Sequence, residues 1–346
     1  MKRLLIFAVI ASILLTGSAA YANDVYEDYA IKLKKIGVFI GTDSGFELDR
    51  TSTRAEAAVM FVRLLGAEKE AQDKKYKHPF TDVPKWANDH VGYLYHEKLT
   101  YGTGATTFGS NDIIDYDGYC TFILRALGYS DANGDFEWNE ALRFADDMMI
   151  FTHRVCGSLD YKFRRKYMAR LSYLALKANL KGHENYSLIE KLVDMNAITA
   201  DKAERIGLLK IEKNGQPITE LSKEMTARLL SYPLDYENEA KLDFGEMFEK
   251  EPELVNLLME KLCTDVIKLS NNEKFFINEQ LFYKTWNNKY LARGVLQITK
   301  EDGTITEQDI GIEFWYGRYD YEPPETRRYR VEEIIPLGAK RIIKFD

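Results

Sequence analysis

The densest group of side chains that could bind a ligand is a run of arginines and lysines near the middle of the chain. Between residues 154 and 177 the sequence has seven basic side chains and a single acidic one, Asp160. Arginine is well suited to bind a carboxylate, because its planar guanidinium can donate two parallel hydrogen bonds. The run therefore predicts either a site for an anionic ligand or the solvated basic face of a helix.

Other kinds of site do not fit the sequence. The five histidines include no pair with the i, i+4 spacing of zinc ligands on a helix. The segment 131–135 has the composition of a calcium loop, but its glycine is at the fourth position instead of the sixth. No Gly-x-Ser-x-Gly or Walker sequence occurs, so the sequence predicts no catalytic residue, no metal and no cofactor.

Length and charge limit the classes of protein to which the chain can belong. With 346 residues, of which 45% are hydrophobic and 29% charged, we expect two or three compact units and not a disordered chain. The formal net charge of −7 argues against general nucleic-acid binding. Most of the acidic excess lies in residues 216–346, which have 18 basic and 25 acidic side chains. The preceding part is close to neutral and can still bind an anionic partner.

The first 22 residues have the pattern of a secretory signal peptide. Lys2 and Arg3 precede an apolar run from Leu4 to Leu15, and Ala20-Tyr21-Ala22 has the form of a cleavage site. No later stretch reaches 18 apolar residues, so we expect no membrane contact after cleavage. Because no cysteine follows the apolar run to carry a lipid, another attachment would have to hold the protein at a cell surface. The three cysteines of the chain are too few to predict a disulfide framework.

The sequence repeats itself with an offset of 62 residues. Phe108 corresponds to Phe46, and residues 122–128 correspond to residues 60–66. A weaker third copy begins near residue 136 and resumes over residues 165–180. Each copy predicts a helix, a loop and a second helix. Since one helical pair cannot bury its apolar faces alone, we expect the copies to pack against one another.

Three motifs resemble a known family when they are taken together. They are Phe80-Thr81-Asp82-Val83-Pro84-Lys85-Trp86-Ala87, the Gly45-Phe46 loop, and Thr53-Arg54-Ala55-Glu56. In this order and spacing they resemble the S-layer homology (SLH) domain of Gram-positive surface proteins. The resemblance implies a mainly α unit, in which three helical repeats form a pseudo-threefold prism. It also implies binding to anionic secondary cell-wall polysaccharides, often pyruvylated, that are attached to peptidoglycan.

The repeats and the resemblance together predict the domain boundaries. We expect a signal peptide at residues 1–22, SLH repeats at 23–70, 76–132 and 133–182, a helical tail or linker at 183–215, and an α+β or β-rich domain at 216–346. The third repeat is degenerate. The family of the last domain is not predicted.

The resemblance also implies which residues bind the polysaccharide. They are Arg54, Glu56, Thr53, Gly45, Asp82, Trp86, Arg164, Arg165 and Trp138. For Arg54 the alternative is a structural ion pair with Glu56 or with a neighbouring repeat. The two tryptophans either stack on a sugar or pack between repeats. Gly45 either shapes the site or only allows a tight turn.

The second and third copies depart from the family's pattern at the positions that matter most. Tyr116 and Gly118 stand in the second copy where Arg54 and Glu56 stand in the first. The third copy has 164–167 (Arg-Arg-Lys-Tyr) in place of Thr-Arg-Ala-Glu. We therefore expect at most two of the three equivalent sites to be complete.

The pattern changes after residue 209. The apolar spacing predicts a helix over 254–269, and alternation predicts strands at 276–283, 291–299, 305–316, 331–335 and 341–345. Asp302-Gly303 predicts a hairpin turn, and an acidic segment covers 235–253. A tip around Pro323-Pro324, rich in aromatic and basic residues, predicts either a surface that contacts a ligand or a protein, or a strand face with a solvated loop.

The sequence thus predicts a secreted, noncatalytic protein of a Gram-positive bacterium, held noncovalently at the cell wall and displaying its C-terminal domain. The expected partner is the anionic wall polysaccharide. The sequence also allows a protein partner at the C-terminal domain. Two further hypotheses stay open. The chain could be a glycan-active enzyme that the repeats only target to the wall, or a component of an S-layer lattice.

Overall fold

The computed structural model describes residues 25–151, 159–183, 185–232, 252–284, 289–317, 323 and 328–345. Within these ranges the chain divides into two compact units, and the division falls between Lys202 and Ala203. The predicted signal peptide and most of the acidic segment 235–253 lie outside the described residues, as does most of the tip around Pro323-Pro324.

The N-terminal unit is helical. Its helices are α1 (25–35), α2 (Arg54–Leu64), α3 (Glu68–Lys74), α4 (Asn88–His96), α5 (Tyr116–Ala126), α6 (Ala141–Asp147), α7 (Arg165–Lys177), α8 (Leu188–Asp194) and α9 (Ala200–Arg205), within which the division falls. Short 3-10 turns cover Asp131–Asn133 and Trp138–Glu140. The first residues of α2 and α5 are 62 positions apart, as the offset in the sequence predicts.

Helix α2 is buried on nearly every side. Thr53 caps its N-terminus by accepting a hydrogen bond from the backbone N–H of Glu56, and Glu56 in return accepts from the N–H of Thr53. The sequence predicts a single apolar face, yet eight of the eleven residues are buried. A helix that is apolar all round lies at the centre of a packed unit. Phe61 of α2 stacks on Phe122 of α5 with 4.8 Å between the ring centroids.

The N-terminus of α2 pairs with a loop of the next copy. The N–H of Arg54 donates to the carbonyl of Asp112 at 2.9 Å, and that of Ala55 donates to the carbonyl of Ser110 at 3.2 Å. These bonds satisfy two of the backbone N–H groups that the first turn of a helix leaves without an intrahelical acceptor.

The N-terminus of α7 pairs with the first copy in the same way. The N–H groups of Arg165 and Lys166 donate to the carbonyls of Arg50 and Leu48, each at 2.9 Å. These acceptors stand 62 positions before Asp112 and Ser110. At the start of α5, the hydroxyl of Tyr116 donates to the carbonyl of Lys162. The helix-to-loop contacts therefore run in a cycle, from copy one to two, from two to three and from three back to one.

The C-terminal unit has one seven-stranded sheet. Its strands are β1 (Leu209–Lys213), β2 (Glu273–Phe276), β3 (Phe282–Lys284), β4 (Lys289–Thr299), β5 (Ile305–Gly317), β6 (Arg328–Pro336) and β7 (Lys340–Lys344). The order is β1-β7-β5-β4-β2, with β3 also paired to β4 and β6 to β5. Only the β1–β7 pair is parallel.

Two helices cover the two faces of this sheet. Helix α11 (Pro252–Lys261), which continues as a π-helical turn over Leu262–Val266, packs on the face that carries Tyr290, Ile312 and Phe314. Helix α10 (Lys223–Ser231) packs on the opposite face, where its Leu229 contacts Val295. Alternate residues of β4 thus contribute to two separate cores.

Three elements of this unit differ from the prediction. Residues 209–213, assigned to a helical linker, form β1, because they pair with a strand more than a hundred residues away that no local pattern reveals. The strand predicted over 276–283 is interrupted by a 3-10 turn at Glu279–Leu281. In that turn the side chain of Asn278 accepts a hydrogen bond from the N–H of Gln280, which competes with strand pairing. The helix predicted to 269 has its last α-helical residue at Lys261.

Candidate functional site

A cavity of about 330 Å³ lies where the start of α2 meets the second copy. Its walls come from Arg54, from 100–103 after α4, from 112–115 before α5 and from α5 itself. Trp138 completes the rim. We call this space the Arg54 cavity.

The guanidinium of Arg54 lies in this cavity without an ion-pair partner among the described residues. It packs 5.1 Å from the ring centroid of Phe108 and 5.9 Å from that of Phe122, and its Nε is buried with no hydrogen-bond acceptor. Burial lowers the pKa of Arg54 and the nearby Arg125 lowers it further, whereas Asp112 opposes the shift. A desolvated cation of this kind favours an incoming carboxylate, which supplies the missing acceptor.

The rest of the Arg54 cavity combines flat apolar rims with polar walls. The side chains of Trp138 and Tyr101 are 61% and 62% exposed, although both are large and apolar. Arg125 lines the wall but is already engaged, since it donates to both carboxylate oxygens of Asp131 at 2.8 and 2.7 Å. An open arginine beside an exposed indole suits a sugar that carries an acidic group.

Arg165 has the equivalent position at the start of α7, but its environment is closed. It is 4% exposed, and its Nη1 lies 3.1 Å from a carboxylate oxygen of Glu56. Its Nε donates to the carbonyl of Phe46 at 2.8 Å, and its guanidinium stacks 4.8 Å from the centroid of Phe39. Arg165 is therefore paired within the protein.

Glu56 joins two arginines and does not contact Arg54. Its carboxylate accepts from Arg50 at 2.7 and 3.0 Å and from Arg165. Burial opposes its ionised form, but the hydrogen bonds from Arg50 and from the backbone of Thr53 hold its pKa below the ordinary value. The alternative considered for Arg54, an ion pair with Glu56, is not what the structure has. Glu56 and Thr53 instead stabilise the start of α2.

The remaining predicted residues lie apart from the Arg54 cavity. Trp86 is 56% exposed and does not line it. Gly45 has a φ of +96° in a tight turn, where its N–H and carbonyl both pair with Thr42. Arg164 flanks the start of α7, where it donates to the carbonyl of Asp49 and pairs with Asp160. Of the predicted site residues, only Arg54 and Trp138 share this cavity.

Asp82 organises the loop that leads into the Arg54 cavity. Its carboxylate accepts hydrogen bonds from the N–H groups of Phe108, Gly109 and Ser110 at 2.7, 2.8 and 2.9 Å. Burial opposes its ionised form, yet these three donors hold the pKa of Asp82 below its usual range. The residue thus acts through the loop, since Phe108 packs under Arg54 and the carbonyl of Ser110 accepts from α2.

Replacing Asp82 by alanine should destabilise the N-terminal unit by about 2 kcal/mol, because three backbone donors lose a charged acceptor. The contribution of Asp82 is fully present above about pH 4, the ordinary pKa of an aspartate. It is lost as the pH falls through the lowered pKa of the folded state. Urea unfolding followed by circular dichroism, at pH 7 and at pH 3, measures both effects. Asp43→Ala, at an exposed position, is the control; an equal loss of stability in both variants would contradict this role.

Sequence reasoning missed most of the residues that line the Arg54 cavity, Tyr101 and Arg125 among them. Tyr101 and Arg125 are the 62-residue counterparts of Phe39 and Arg63, which are not predicted site residues, so the repeat offset does not single them out. Neither belongs to the three motifs of the resemblance.

The C-terminal unit has a second cavity, of about 360 Å³, in which three carboxylates converge. Glu307 and Glu212 both pair with Arg341 at 2.6 Å, and Asp309 pairs with Arg228 at 2.9 Å. Arg341 and Lys210 lower the pKa of Glu212 to about 2. The lowered pKa of Glu212 does not suit a general acid, which needs a raised pKa. The ion pairs of the three carboxylates with Arg341 and Arg228 instead form a structural network.

The part of the chain that the structure describes shows neither a metal site nor a membrane-spanning helix. It contains no cluster of histidine, cysteine, aspartate and glutamate that could hold a metal ion. In the segment that resembles a calcium loop, Asp131 pairs with Arg125 and Asp135 pairs with Lys181. None of the described helices combines the length and the apolar character needed to cross a bilayer.

Comparison with known proteins finds surface proteins of bacteria. No protein-family model matches the chain. It is 35% identical over 116 residues to a "Cell surface protein" of Thermoanaerobacter kivui, a match that covers 33% of this chain and 15% of the relative. It is 27% identical over 172 residues, 46% of the chain, to a "Surface layer protein" of Brevibacillus choshinensis, of which 15% is covered. A "Middle cell wall protein" of Brevibacillus brevis is 32% identical over 101 residues, which are 28% of this chain and 10% of that one. The chain thus matches only a small part of each relative's length.

Proposed function

We propose that the N-terminal unit anchors this chain noncovalently to an anionic polysaccharide of the Gram-positive cell wall and that the C-terminal unit is displayed from it. The cell-surface location is confirmed by the three relatives, all named as proteins of the cell surface, surface layer or cell wall. None of these names describes an enzyme.

One observation carries the proposal. The guanidinium of Arg54 faces a cavity without an ion-pair partner among the described residues, beside the exposed ring of Trp138. An acidic sugar would satisfy both groups, with its carboxylate on the arginine and its ring face on the indole. The resemblance to SLH domains supports this ligand class, and the cycle of helix-to-loop contacts supports a pseudo-threefold arrangement of the repeats.

The test is sedimentation of the purified chain with cell-wall sacculi. We expect binding to native sacculi and release when the secondary polysaccharide is chemically stripped from the peptidoglycan. Equal binding to native and stripped sacculi would contradict the proposal, because the ligand would then be peptidoglycan itself.

Two tryptophans offer a matched pair of variants for the same assay. Trp138→Ala should weaken binding about tenfold, because stacking of a sugar ring on an aromatic side chain contributes on the order of 1 kcal/mol. Trp86→Ala should leave the affinity unchanged, since Trp86 is about equally exposed but lies outside the Arg54 cavity. Equal losses in the two variants would place the ligand elsewhere.

A second candidate function is a component of a surface lattice, which the name of the Brevibacillus choshinensis relative favours. It predicts self-association of the purified chain without wall polymer. Size-exclusion chromatography over a range of protein concentrations, with and without calcium, separates the two: a chain that stays monomeric but binds sacculi is an anchor.

A further inference from the structure

Three equivalent junctions of the N-terminal unit differ in one pair of residues. At each junction the first residue of one copy's second helix meets the third residue of the next copy's second helix. Between copies three and one, Arg165 meets Glu56 at 3.1 Å. Between copies two and three, the rings of Tyr116 and Tyr167 lie 5.9 Å apart.

At the junction between copies one and two the third residue has no side chain. Arg54 is the first residue of α2, and the third residue of α5 is Gly118. Both line the Arg54 cavity. The cavity is therefore found at the junction where a glycine replaces the carboxylate.

From this comparison we infer that Gly118 keeps the Arg54 cavity open and that a ligand's acidic group takes the place that the Glu56 carboxylate takes at Arg165. The inference rests on the proposed function and adds the residue that decides which junction binds. Of the three junctions, the one between copies one and two has an arginine, Arg54, that faces no carboxylate of the neighbouring helix. Glu56 fills the second, and Tyr116 replaces the arginine of the third.

The backbone dihedral angles do not require a glycine at position 118. Gly118 lies within helix α5 and is not among the glycines of positive φ. A glycine inside a helix is less favourable than an alanine. A Cβ at this position would lie 3.0 Å from Cγ1 of Ile114 and 3.1 Å from Oδ1 of Asp115, which small shifts of these two side chains can relieve. A longer side chain is thus compatible with the helix.

The decisive variant is Gly118→Glu, which gives α5 the carboxylate that α2 has. The backbone N–H of Gly118 already donates to the side chain of the N-cap residue Asp115 at 2.8 Å, as the N–H of Glu56 donates to Thr53. We expect binding to native sacculi to fall at least tenfold while the helical circular dichroism is retained. Gly118→Gln, of the same length but uncharged, should lose less than threefold. Equal losses in the Glu and Gln variants, or full binding by Gly118→Glu, would overturn the inference.

A second readout does not depend on the wall polymer. In Gly118→Glu the Nε–H resonance of Arg54 in ¹⁵N NMR spectra should shift and become protected from exchange, because an internal carboxylate now accepts from the guanidinium. Gly118→Ala should leave it unchanged and serves as the folded reference. If the unaltered chain does not bind native sacculi, the proposed function fails, while this resonance still tests the pairing. If the chain binds but the resonance of Gly118→Glu is unchanged, the inference fails and the anchor stands.

Discussion

Replacing Glu56 by alanine should lower the free energy of unfolding of the N-terminal unit by about 3–5 kcal/mol, the usual range when a buried ion pair loses one partner. Arg165 is 4% exposed and would remain in the interior without a carboxylate. The variant also removes half of the capping box of α2. Urea unfolding followed by circular dichroism gives the value.

Glu47 provides the control for this variant. It also pairs with Arg50, at 3.2 Å, but does not contact Arg165 by a hydrogen bond, so Glu47→Ala should cause a much smaller loss. A double variant, Glu56→Ala with Arg165→Met, should recover part of the lost stability, because the buried charge is then removed as well. Equal losses for Glu47→Ala and Glu56→Ala would contradict the role assigned to the buried pair.

Replacing Arg54 by alanine should weaken ligand binding without the large loss of stability expected for Glu56→Ala. We expect binding to native sacculi to weaken about thirtyfold, or about 2 kcal/mol, the usual contribution of a hydrogen bond to a charged group. The stability of the unit should fall much less than in Glu56→Ala, because Arg54 loses its contacts with Phe108 and Phe122 but has no ion-pair partner to lose among the described residues. Isothermal titration with solubilised wall polysaccharide and a parallel urea titration separate the two effects.

The conservative variant tests the geometry of this contact. Arg54→Lys keeps the charge but loses the planar fork, so its affinity should lie between those of the original chain and the alanine variant. Lys85→Ala, at an exposed lysine outside the cavity, controls for a general loss of positive charge. If Lys85→Ala weakens binding as much as Arg54→Ala, the contact is nonspecific attraction and not a site.

Much of the difference between the three junctions could be predicted from the sequence, because the 62-residue repeat is visible without knowledge of the fold. It aligned Tyr116 and Gly118 with Arg54 and Glu56, and the structure places these residues at equivalent positions of α2 and α5. It also predicted the strands β4, β5 and β7 to within about two residues, since alternation and the Asp302-Gly303 turn are short-range signals.

What the sequence did not provide depends on distant pairing. Arg165 was selected as a ligand contact, but its partner is Glu56, 109 residues earlier, and only the fold brings them together. The same holds for β1, which is defined by its pairing with β7. Asp82 belongs to one of the three motifs, yet its carboxylate accepts hydrogen bonds from the backbone of a loop that lies 26 to 28 residues later. The motifs select residues by type and spacing, whereas burial and pairing in the folded chain determine which groups each of them contacts.

The contact between the start of α7 and residues 48–50 has a consequence for how the N-terminal unit comes apart. Linear repeat arrays can lose their terminal repeats one at a time, because a terminal repeat has a single neighbour. Here the third copy is hydrogen-bonded back to the first, so every copy has two neighbours and none is terminal. Unfolding any one copy therefore breaks two of the three junctions, whereas loss of a terminal repeat from a linear array of three breaks one of two. The cycle thus makes partial unfolding less favourable than it would be in a linear array.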